Sequence, residues 1–494
     1  MAKAIMFQGT ASNVGKSIIA AGFCRILLED GFSVAPFKAQ NMALNSFVTA
    51  DGLEMGRAQV TQAAACRIKP DVRMNPVLLK PSAGSGSQVI VMGKPAGHMN
   101  LHTYTDFKKN LRIVAQNAYE YLASQYDFIV IEGAGSPAEV NLKKDDITNM
   151  HIAKLAHAPV LIVGDIDKGG VYAHFAGTFD LLDPDEQELT AGFIINKFLG
   201  DQSQLKPAND FIENKTKRKV FGVVPMIPDL KLPDEDSVEF KKRVGKQKAH
   251  RKNMIEIALI DLPHISNFTD FDPFASDPDV NLFATNRAED LLNADIIIIP
   301  GSKNTAWDLN YLREKGFPPI LQQCAAKGKM IIGICGGFQM LGKHILDPDA
   351  VESPEKQIPG LGLLDMTTIM AEEKHLSQVE AVCTDSGSTV KGYEIHHGRS
   401  QMNETPFLVN AGENKEKKDA LGCKNKTGNV WGTYIHGVFD STPFRNYILN
   451  QIRAGKNLPV PGIIKEFSLD EELSRLAAIL RKSLDIDAMY RLIL

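Results

Sequence analysis

The segment GTASNVGKS at residues 9–17 constrains the fold of this chain more than any other feature, because it lies between the apolar run AIMF and the helix-like stretch SIIAAGFCRILLED. A strand, a glycine-rich turn and a helix in this order form a phosphate-binding loop, in which backbone N–H groups and the helix N-terminus hold phosphate oxygens. Lys16 would reach the terminal phosphates and Ser17 would bind magnesium. Five residues separate Gly9 from Gly15, one more than in the common motif, and a purely structural glycine turn is the alternative. The pattern predicts a nucleotide-binding α/β domain.

Polar residues elsewhere in the N-terminal half complete the predicted nucleotide site. The predicted ATP-binding residues belong to the loop, apart from one lysine after the next strand: Gly9, Thr10, Asn13, Val14, Gly15, Lys16, Ser17 and Lys38. Glu132 ends the apolar segment DFIVIE and is predicted to bind Mg²⁺ with Ser17, since α/β sheets bind ligands at the carboxyl ends of their strands. Asp165 and Asp167 end another strand and are candidates for assisting the metal or the substrate. A solvated carboxylate at Glu132 and a surface lysine at Lys38 are the alternatives.

Short apolar runs separated by helix-length stretches recur along the chain, as in α/β proteins whose mainly parallel sheet is buried on both faces. In the first half the runs are residues 4–7, 33–37, 128–131, 160–163, 193–195 and 220–224, and in the second half they are 255–260, 295–299, 330–334 and 430–435. Between the two series, EFKKRVGKQKAHRKN at 239–253 is dense in charge, which favours a linker over an RNA-binding patch. We predict two doubly wound α/β domains.

The predicted domain limits follow from these patterns, because 494 residues exceed what one hydrophobic core usually organises. An ATP-binding P-loop domain covers 1–232, a charged linker 233–253, a second α/β domain 254–450 and a helical extension 451–494. In that extension Ser468 and Glu471 have capping-box spacing. Its leucines form one stripe of a packing helix, and they are Leu469, Leu473, Leu476 and Leu480.

Composition excludes several classes of function. The net charge of −4 gives no electrostatic basis for binding nucleic acid or an anionic membrane. No apolar run reaches the roughly 18 residues of a membrane span, and the N-terminus is unlike a signal peptide. Six scattered cysteines suit neither a disulfide framework nor a zinc site. We therefore expect a cytoplasmic protein that acts on small molecules.

Cys335 is the predicted nucleophile of the second domain. In KMIIGICGGFQML it lies between Gly333 and Gly337 at a strand-to-helix junction, the arrangement of a nucleophile elbow. The helix N-terminus would lower the pKa of the thiol, and the N–H of Gly336 would stabilise an oxyanion. Gly301, in PGSKNT after another strand, is the second predicted oxyanion donor. The alternative for Cys335, a buried inert cysteine, suits the other five cysteines better.

A cysteine nucleophile needs a general acid and base, and His436 fits this role at the end of the apolar strand in NVWGTYIHGVF. A core histidine bonded to a backbone carbonyl is the alternative. The segment GYEIHHG contains Glu394, His396 and His397, which are candidates for orienting His436 or contacting a substrate that accepts the released nitrogen. Ordinary polar surface residues are an equally good interpretation of them.

Together these motifs resemble the cobyric acid synthases of cobalamin biosynthesis over nearly the whole chain. The N-terminal half is similar to the dethiobiotin-synthetase-like ATP-binding fold, whose loop has the same extra residue. The C-terminal half resembles the cobyric-acid type of class I glutamine amidotransferase, whose cysteine and histidine correspond to Cys335 and His436. Further family-like segments are PFKAQNMALNS, DGLEMGRAQ, NPVLLKPS, IEGAGSPAEVNL, GDIDKGGV, GFIINKFLGD and KGYEIHHG.

This resemblance implies ATP- and glutamine-dependent amidation of the b, d, e and g carboxylates of adenosylcobyrinic acid a,c-diamide. It carries Lys16, Ser17 and Glu132 over as ATP and magnesium residues. Glutamine, ATP and the corrinoid acceptor are the implied partners, with no tightly bound prosthetic group and no protein metal site besides magnesium. Class I amidotransferases commonly have a glutamate where this chain has Val438, so the residue that orients His436 is unassigned.

Two other functions are also compatible with both predicted domain types. A cobyrinic acid a,c-diamide synthase shares both domain types but amidates earlier carboxylates, and the segments QNMALN and GYEIHHG argue against it. A ParA-like nucleotide switch with an inactive amidotransferase domain is the alternative from a different class, and the presence of Cys335 and His436 argues against that one.

Overall fold

The computed structural model describes residues 2–81, 86–228, 230–233, 240–241, 244–245, 253–412, 419–460 and 467–494. The chain forms two compact units. The first unit comprises residues 1–43, 53–233 and 468–494, and the second comprises 44–52 and 234–467. Both units contain a sheet flanked by helices, so the predicted α/β fold class is confirmed.

The first unit is built on a six-stranded sheet whose neighbouring strands are all parallel. The described strands of this unit are β1 (Lys3–Gly9), β2 (Val34–Phe37), β3 (Gln40–Met42), β4 (Glu54–Gly56), β5 (Val77–Pro81), β6 (Gly86–Val91), β7 (Lys94–Asn100), β8 (Phe128–Glu132), β9 (Val160–Asp165), β10 (Thr190–Phe198) and β11 (Lys219–Pro225). The spatial order of the main sheet is β11–β10–β9–β1–β8–β2, and a smaller sheet has the order β3–β5–β6–β7.

Helices cover both faces of this sheet. They are α1 (Lys16–Glu29), α2 (Arg57–Ala65), α3 (Leu101–Gln125), α4 (Met150–Ala156), α5 (Val171–Asp180), α6 (Pro184–Leu189) and α7 (Lys206–Thr216). Along β1, Met6 enters one core whereas Ile5 and Phe7 enter the other, which explains the unbroken apolar run in the sequence. Because β1, β8 and β9 are neighbours in the sheet, their carboxyl ends bring the phosphate loop, Glu132 and Asp165 to one edge.

The sheet of the second unit is parallel on one side and mostly antiparallel on the other. Besides the short strand Ser46–Val48, the described strands are β12 (Ile255–Ile260), β13 (Val280–Thr285), β14 (Ile296–Ile299), β15 (Met330–Ile334), β16 (His344–Leu346), β17 (Gln357–Pro359), β18 (Met366–Cys383), β19 (Thr389–Met402), β20 (Thr405–Asn410), β21 (Ala420–Lys424) and β22 (Val430–Thr433). The order is β13–β12–β14–β15–β22–β21–β20–β18–β16–β17, with β19 paired to β18.

The parallel strands of this unit position its functional residues. Its α-helices are α8 (Thr305–Glu314), α9 (Phe317–Ala326), α10 (Gly336–Leu341) and α11 (Thr442–Lys456). The neighbours β14, β15 and β22 end just before Gly301, Cys335 and His436 respectively. Three segments far apart in sequence therefore meet at one edge of the sheet.

The compact units differ from the predicted domain limits, because segments that are distant in sequence pack into the same unit. Val48, from within the N-terminal half, packs with Tyr393 and Ile395 of the second unit. Much of the predicted linker lies outside the described residues, but Phe240 is buried against Phe268, with ring centroids 4.9 Å apart. Composition alone does not reveal which core takes up these side chains.

The C-terminal helices α12 (Leu469–Ser483) and α13 (Ile486–Ile493) belong to the first unit. The Ser468 side chain accepts a hydrogen bond from the Glu471 N–H, as the capping-box spacing predicts. Leu476 and Leu480 are fully buried against α1 at Gly22. Among the described residues, no helix combines the length and apolar character needed to cross a membrane.

Replacing Gly22 with leucine should destabilise the first unit. A Cβ on Gly22 would lie 3.0 Å from Cγ of Leu476 and closer still to Leu480, so a larger side chain overpacks this helix contact. We expect Gly22→Leu to lower the free energy of unfolding by about 1–3 kcal/mol in chemical denaturation. Gly177→Leu is the matched control, because nothing lies within 4 Å of its Cβ position, and it should be neutral or stabilising. Equal effects of the two substitutions would contradict this packing argument.

Candidate active sites

The phosphate loop connects the end of β1 to α1 through two residues in the left-handed region, Asn13 with φ 60° and Gly15 with φ 100°. Nζ of Lys16 donates to the carbonyl oxygens of Ala11 and Gly135, at 2.9 and 3.2 Å. The lysine therefore bends back along the loop towards its own helix N-terminus. A helix N-terminus and an ammonium group at one place suit the oxygens of a phosphate chain.

Glu132 collects three hydrogen bonds at the end of β8. Its carboxylate is fully buried and accepts from Ser17 Oγ at 2.8 Å, Lys38 Nζ at 2.7 Å and Gln62 Nε2 at 2.5 Å. The predicted residues Ser17, Lys38 and Glu132 thus lie in contact. Sequence reasoning missed Gln62, which lies on α2, because a glutamine in a helix carries no local signal of a buried partner.

Asp165 stabilises the phosphate loop through a lysine. Its nearly buried carboxylate accepts from Lys197 Nζ at 3.0 Å, and the same Nζ donates to the Asn13 carbonyl at 2.8 Å. Asn196 donates to the Val14 carbonyl at 2.8 Å. The side chain of Asp167 is exposed, and its backbone N–H donates to Asp165. These contacts connect Asp165 to the phosphate loop through Lys197.

Cys335 lies at a strained turn in the second unit. Its backbone has φ 50° and ψ −106°, a conformation that side-chain-bearing residues rarely adopt outside functional sites. Its N–H donates to the Thr433 carbonyl at 2.8 Å, which ties the turn to β22. A Cβ on Gly337 would collide with the Ile299 carbonyl oxygen, so glycine is required there. The thiol is consequently presented at the N-terminus of α10.

Asp270 orients His436, and this is the assignment that the sequence left open. Nδ1 of His436 lies 2.7 Å from one carboxylate oxygen of Asp270, and the Gly437 N–H donates to the other oxygen at 2.9 Å. The Tyr393 ring stacks on the imidazole with centroids 5.3 Å apart. The sequence signal for this role was the position of Asp270 between Phe268 and Phe271, which are buried, because a carboxylate inside an apolar segment needs a buried partner.

The neighbours of His436 control its pKa. Burial alone would lower the pKa of His436, but its interactions with Asp270 and Cys335 raise it to about 10. The imidazolium form of His436 is therefore favoured at neutral pH. A Cβ added to Gly301 would lie 3.3 Å from Cε1 of His436, and one added to Gly336 would lie 2.9 Å from the Ser302 nitrogen. Gly301 therefore lies next to His436, and Gly336, which follows Cys335, lies next to the turn that contains Gly301.

The histidines of GYEIHHG have other neighbours. Glu394 and His396 lie against His375, and Nδ1 of His397 lies 3.1 Å from the Ala371 carbonyl. The contact that orients His436, for which the sequence offered these residues as candidates, is made by Asp270.

The motifs predict glutamine hydrolysis at Cys335, and replacing Asp270 with asparagine should impair it by about 10²–10⁴-fold, because the imidazole loses its orienting carboxylate. The pKa of His436 should also fall, since one of the two charges that raise it is removed. The alkaline limb of the rate profile should therefore move to lower pH. Folding stability also depends on this pKa. Because the pKa of His436 is higher in the folded state, its protonation stabilises the fold fully below about pH 6.5, and this contribution is lost as the pH rises through about 10.

The matched control is Asp290→Asn, because the Asp290 carboxylate bonds Thr285 and not the histidine. Its rate and pH profile should equal those of the unmodified protein. Glutaminase activity that survives Asp270→Asn with an unshifted alkaline limb would remove Asp270 from the site.

Comparison with known protein families assigns both halves of the chain. The family described as "CobQ/CobB/MinD/ParA nucleotide binding domain" matches residues 5–239. The family described as "CobB/CobQ-like glutamine amidotransferase domain" matches residues 256–444. The second match includes Asp270, Cys335 and His436.

Whole-length relatives give the same result. The chain is 47% identical over 526 residues to "Cobyric acid synthase" of Nitratidesulfovibrio vulgaris, covering 99% of this chain and 96% of the relative. It is also 47% identical over 511 residues to "Cobyric acid synthase" of Carboxydothermus hydrogenoformans, covering all of both chains. A third relative is "Adenosylcobalamin biosynthesis bifunctional protein CobDQ" of Leptospira interrogans, 47% identical over 491 residues that make up 56% of that protein.

Proposed function

Because this chain belongs to the cobyric acid synthase family of cobalamin biosynthesis, we propose that it uses ATP and the ammonia of glutamine to amidate a corrinoid acceptor. The family resemblance predicted from the motifs is confirmed. In this proposal the b, d, e and g carboxylates of adenosylcobyrinic acid a,c-diamide become the amides of adenosylcobyric acid. The observation that carries the proposal is the buried Asp270–His436 pair, with Cys335 interacting with His436, in a chain that also has a phosphate loop.

Ammonia is released at Cys335. The thiolate attacks the amide carbon of glutamine, and the N–H groups of Gly336 and Gly301 stabilise the resulting oxyanion. His436 gives its proton to the departing nitrogen, so the C–N bond breaks, ammonia leaves and a thioester remains. Water then attacks the thioester while His436 accepts a proton from it, and glutamate leaves as the thiolate reforms.

The acceptor carboxylate is activated at the phosphate loop. An ionised carboxylate is too poor an electrophile for ammonia, so its oxygen attacks the γ-phosphorus of ATP and ADP leaves. Lys16 and Lys38 offset the charge of the transferring phosphoryl group. Ammonia then attacks the carbonyl carbon of the acyl phosphate, and inorganic phosphate departs as the amide forms.

The residues at Glu132 fit a magnesium ion. Ser17 Oγ lies 2.8 Å from Glu132 Oε1 beside the phosphate loop, and hydroxyl and carboxylate oxygens are ligands that suit Mg²⁺. We propose these two oxygens as protein ligands of Mg²⁺. When bound, the ion would neutralise charge on the β- and γ-phosphates.

The proposed partners are small molecules: glutamine, ATP and the corrinoid acceptor. Neither the net charge of −4 nor the described helices favour nucleic acid or a membrane as a partner. All six cysteines are free and buried, which favours a reducing compartment such as the cytoplasm.

The test is to incubate the purified chain with Mg-ATP, adenosylcobyrinic acid a,c-diamide and glutamine carrying an isotope label in its amide nitrogen. Four successive incorporations of the label into the acceptor are expected. Reaction with cobyrinic acid at its a and c carboxylates instead would make the chain an a,c-diamide synthase. ATP hydrolysis with neither acceptor amidated and no glutamate formed would contradict the proposal and favour a nucleotide switch.

A further inference from the structure

His375, Glu394 and His396 form a cluster on one face of the antiparallel pair β18–β19 in the second unit. His375 is directly opposite His396, and Ser377 is opposite Glu394. Glu394 and His396 are two residues apart on β19, and alternate residues of a strand project to the same side. Strand pairing therefore places two imidazoles and one carboxylate together.

The distances within the cluster are those of ligands around one ion. His375 Nε2 lies 3.4 Å from one oxygen of Glu394, and His396 Nε2 lies 3.6 Å from the other. One ligand atom from each of the three residues lies within 4.8 Å of the others. A tetrahedral zinc ion with bonds of about 2.0–2.1 Å separates its ligand atoms by about 3.4 Å. Nε2 of His375 lies 3.1 Å from Ser377 Oγ, so an ion would take the place of this contact as side-chain rotations bring the three atoms to that spacing.

His396 is held in the orientation that a metal ligand requires. Its Nδ1 lies 2.6 Å from the Gly398 carbonyl and donates to it, which leaves Nε2 directed towards Glu394. This Nε2 is buried and, within the described part of the chain, has no hydrogen-bond partner. The Tyr434 ring stacks on the imidazole with centroids 3.8 Å apart, which fixes its orientation. A ligating histidine that donates its other N–H to a backbone carbonyl is the usual arrangement at metal sites.

The cluster also leaves room for access and for a further ligand. The side chains of Glu394 and His396 are 7% and 8% exposed, whereas that of His375 is 47% exposed. An ion can therefore enter from the His375 side, where water completes its coordination.

From this geometry we propose that His375, Glu394 and His396 bind one divalent transition-metal ion of the zinc class, with water as the remaining ligand. The proposal revises the expectation of no protein metal site besides magnesium, and it does not depend on the identity of the acceptor. The strand that carries two of the ligands also contacts the predicted nucleophile, because the carbonyl of Ile395, between Glu394 and His396, is 3.7 Å from Sγ of Cys335. Binding would stiffen the strand that borders the thiol.

The test is to add Zn²⁺ to the metal-free full chain in a calorimeter and, separately, Co²⁺ with visible absorption as the readout. One equivalent of Zn²⁺ should bind, and Co²⁺ should give the intense visible bands of a tetrahedral site. His375→Ala should weaken binding by at least about 10-fold. Because His375 is half-exposed, this variant should stay folded, which circular dichroism checks. His157→Ala is the control, since this exposed histidine ends α4 of the first unit and is not a proposed ligand, and binding should be unchanged.

A Cys335→Ala variant measured in parallel identifies the ligands. It should retain the zinc equivalent and the cobalt bands, because the proposed site uses no sulfur. Loss of binding in Cys335→Ala would assign the ion to the catalytic thiolate and overturn the proposal. Equal affinity in His375→Ala, or no zinc bound by the unmodified chain, would leave the cluster as an ion pair only and overturn it as well.

Discussion

Cys335→Ala should abolish glutamine-dependent amidation while ammonium salts still support amidation at the rate of the unmodified protein. The loss should be at least about 10³-fold, because without the thiolate no thioester forms and the triad acts as a unit. Free ammonia bypasses only this step, since activation of the acceptor takes place at the phosphate loop. The measurement is acceptor amidation by mass spectrometry, together with glutamate release, with each nitrogen source in turn.

Cys324→Ala provides the control, because Cys324 is a fully buried cysteine on α9 whose thiol donates to the Leu291 carbonyl. It should keep both activities. If Cys335→Ala still releases glutamate from glutamine, the nucleophile lies elsewhere. If it loses the ammonia-dependent reaction too, the two sites are not separable in the way we propose.

The strands that the sequence predicted are those buried on both faces. Residues 255–260 and 330–334 were predicted as strands from continuous apolar runs, and they are β12 and β15. The antiparallel strands β18 and β19 were not predicted, because much of each is partly exposed and their apolar residues are interrupted by polar ones. A search for continuous apolar runs finds parallel central strands and overlooks strands with one solvated face.

The same contrast separates the site residues that were predicted from those that were not. Lys16 and Cys335 lie in short motifs, in which neighbouring glycines reveal a special turn. Asp270 contacts His436, 166 positions away, and Gln62 contacts Glu132, 70 positions away. Their roles depend on which strands become neighbours, and no local pattern encodes that. The missing orienting residue of a triad is therefore best sought among buried carboxylates once the fold is known.

Lys16→Ala should give the opposite pattern to Cys335→Ala. Lys16 lies at the N-terminus of α1 with its ammonium group folded along the phosphate loop, and in our proposal it offsets charge on the γ-phosphate. Its loss should lower amidation by on the order of 10²–10³-fold with either glutamine or ammonia, whereas Cys335 should still hydrolyse glutamine. Lys16→Arg should not restore amidation, because a planar guanidinium cannot replace a compact ammonium group in this loop.

Lys206→Ala is the matched control for this variant, since the side chain of Lys206 is 77% exposed on α7 and pairs only with Asp210 among its described contacts. It should retain amidation, glutamine hydrolysis and the binding of a fluorescent ATP analogue. Lys16→Ala should lose the analogue. Amidation that persists in Lys16→Ala with ammonia as donor would mean that the acceptor is activated without the phosphate loop. Because Cys335→Ala should lose amidation only with glutamine, whereas Lys16→Ala should lose it with either nitrogen source, the two variants together distinguish a coupled synthetase from either activity alone.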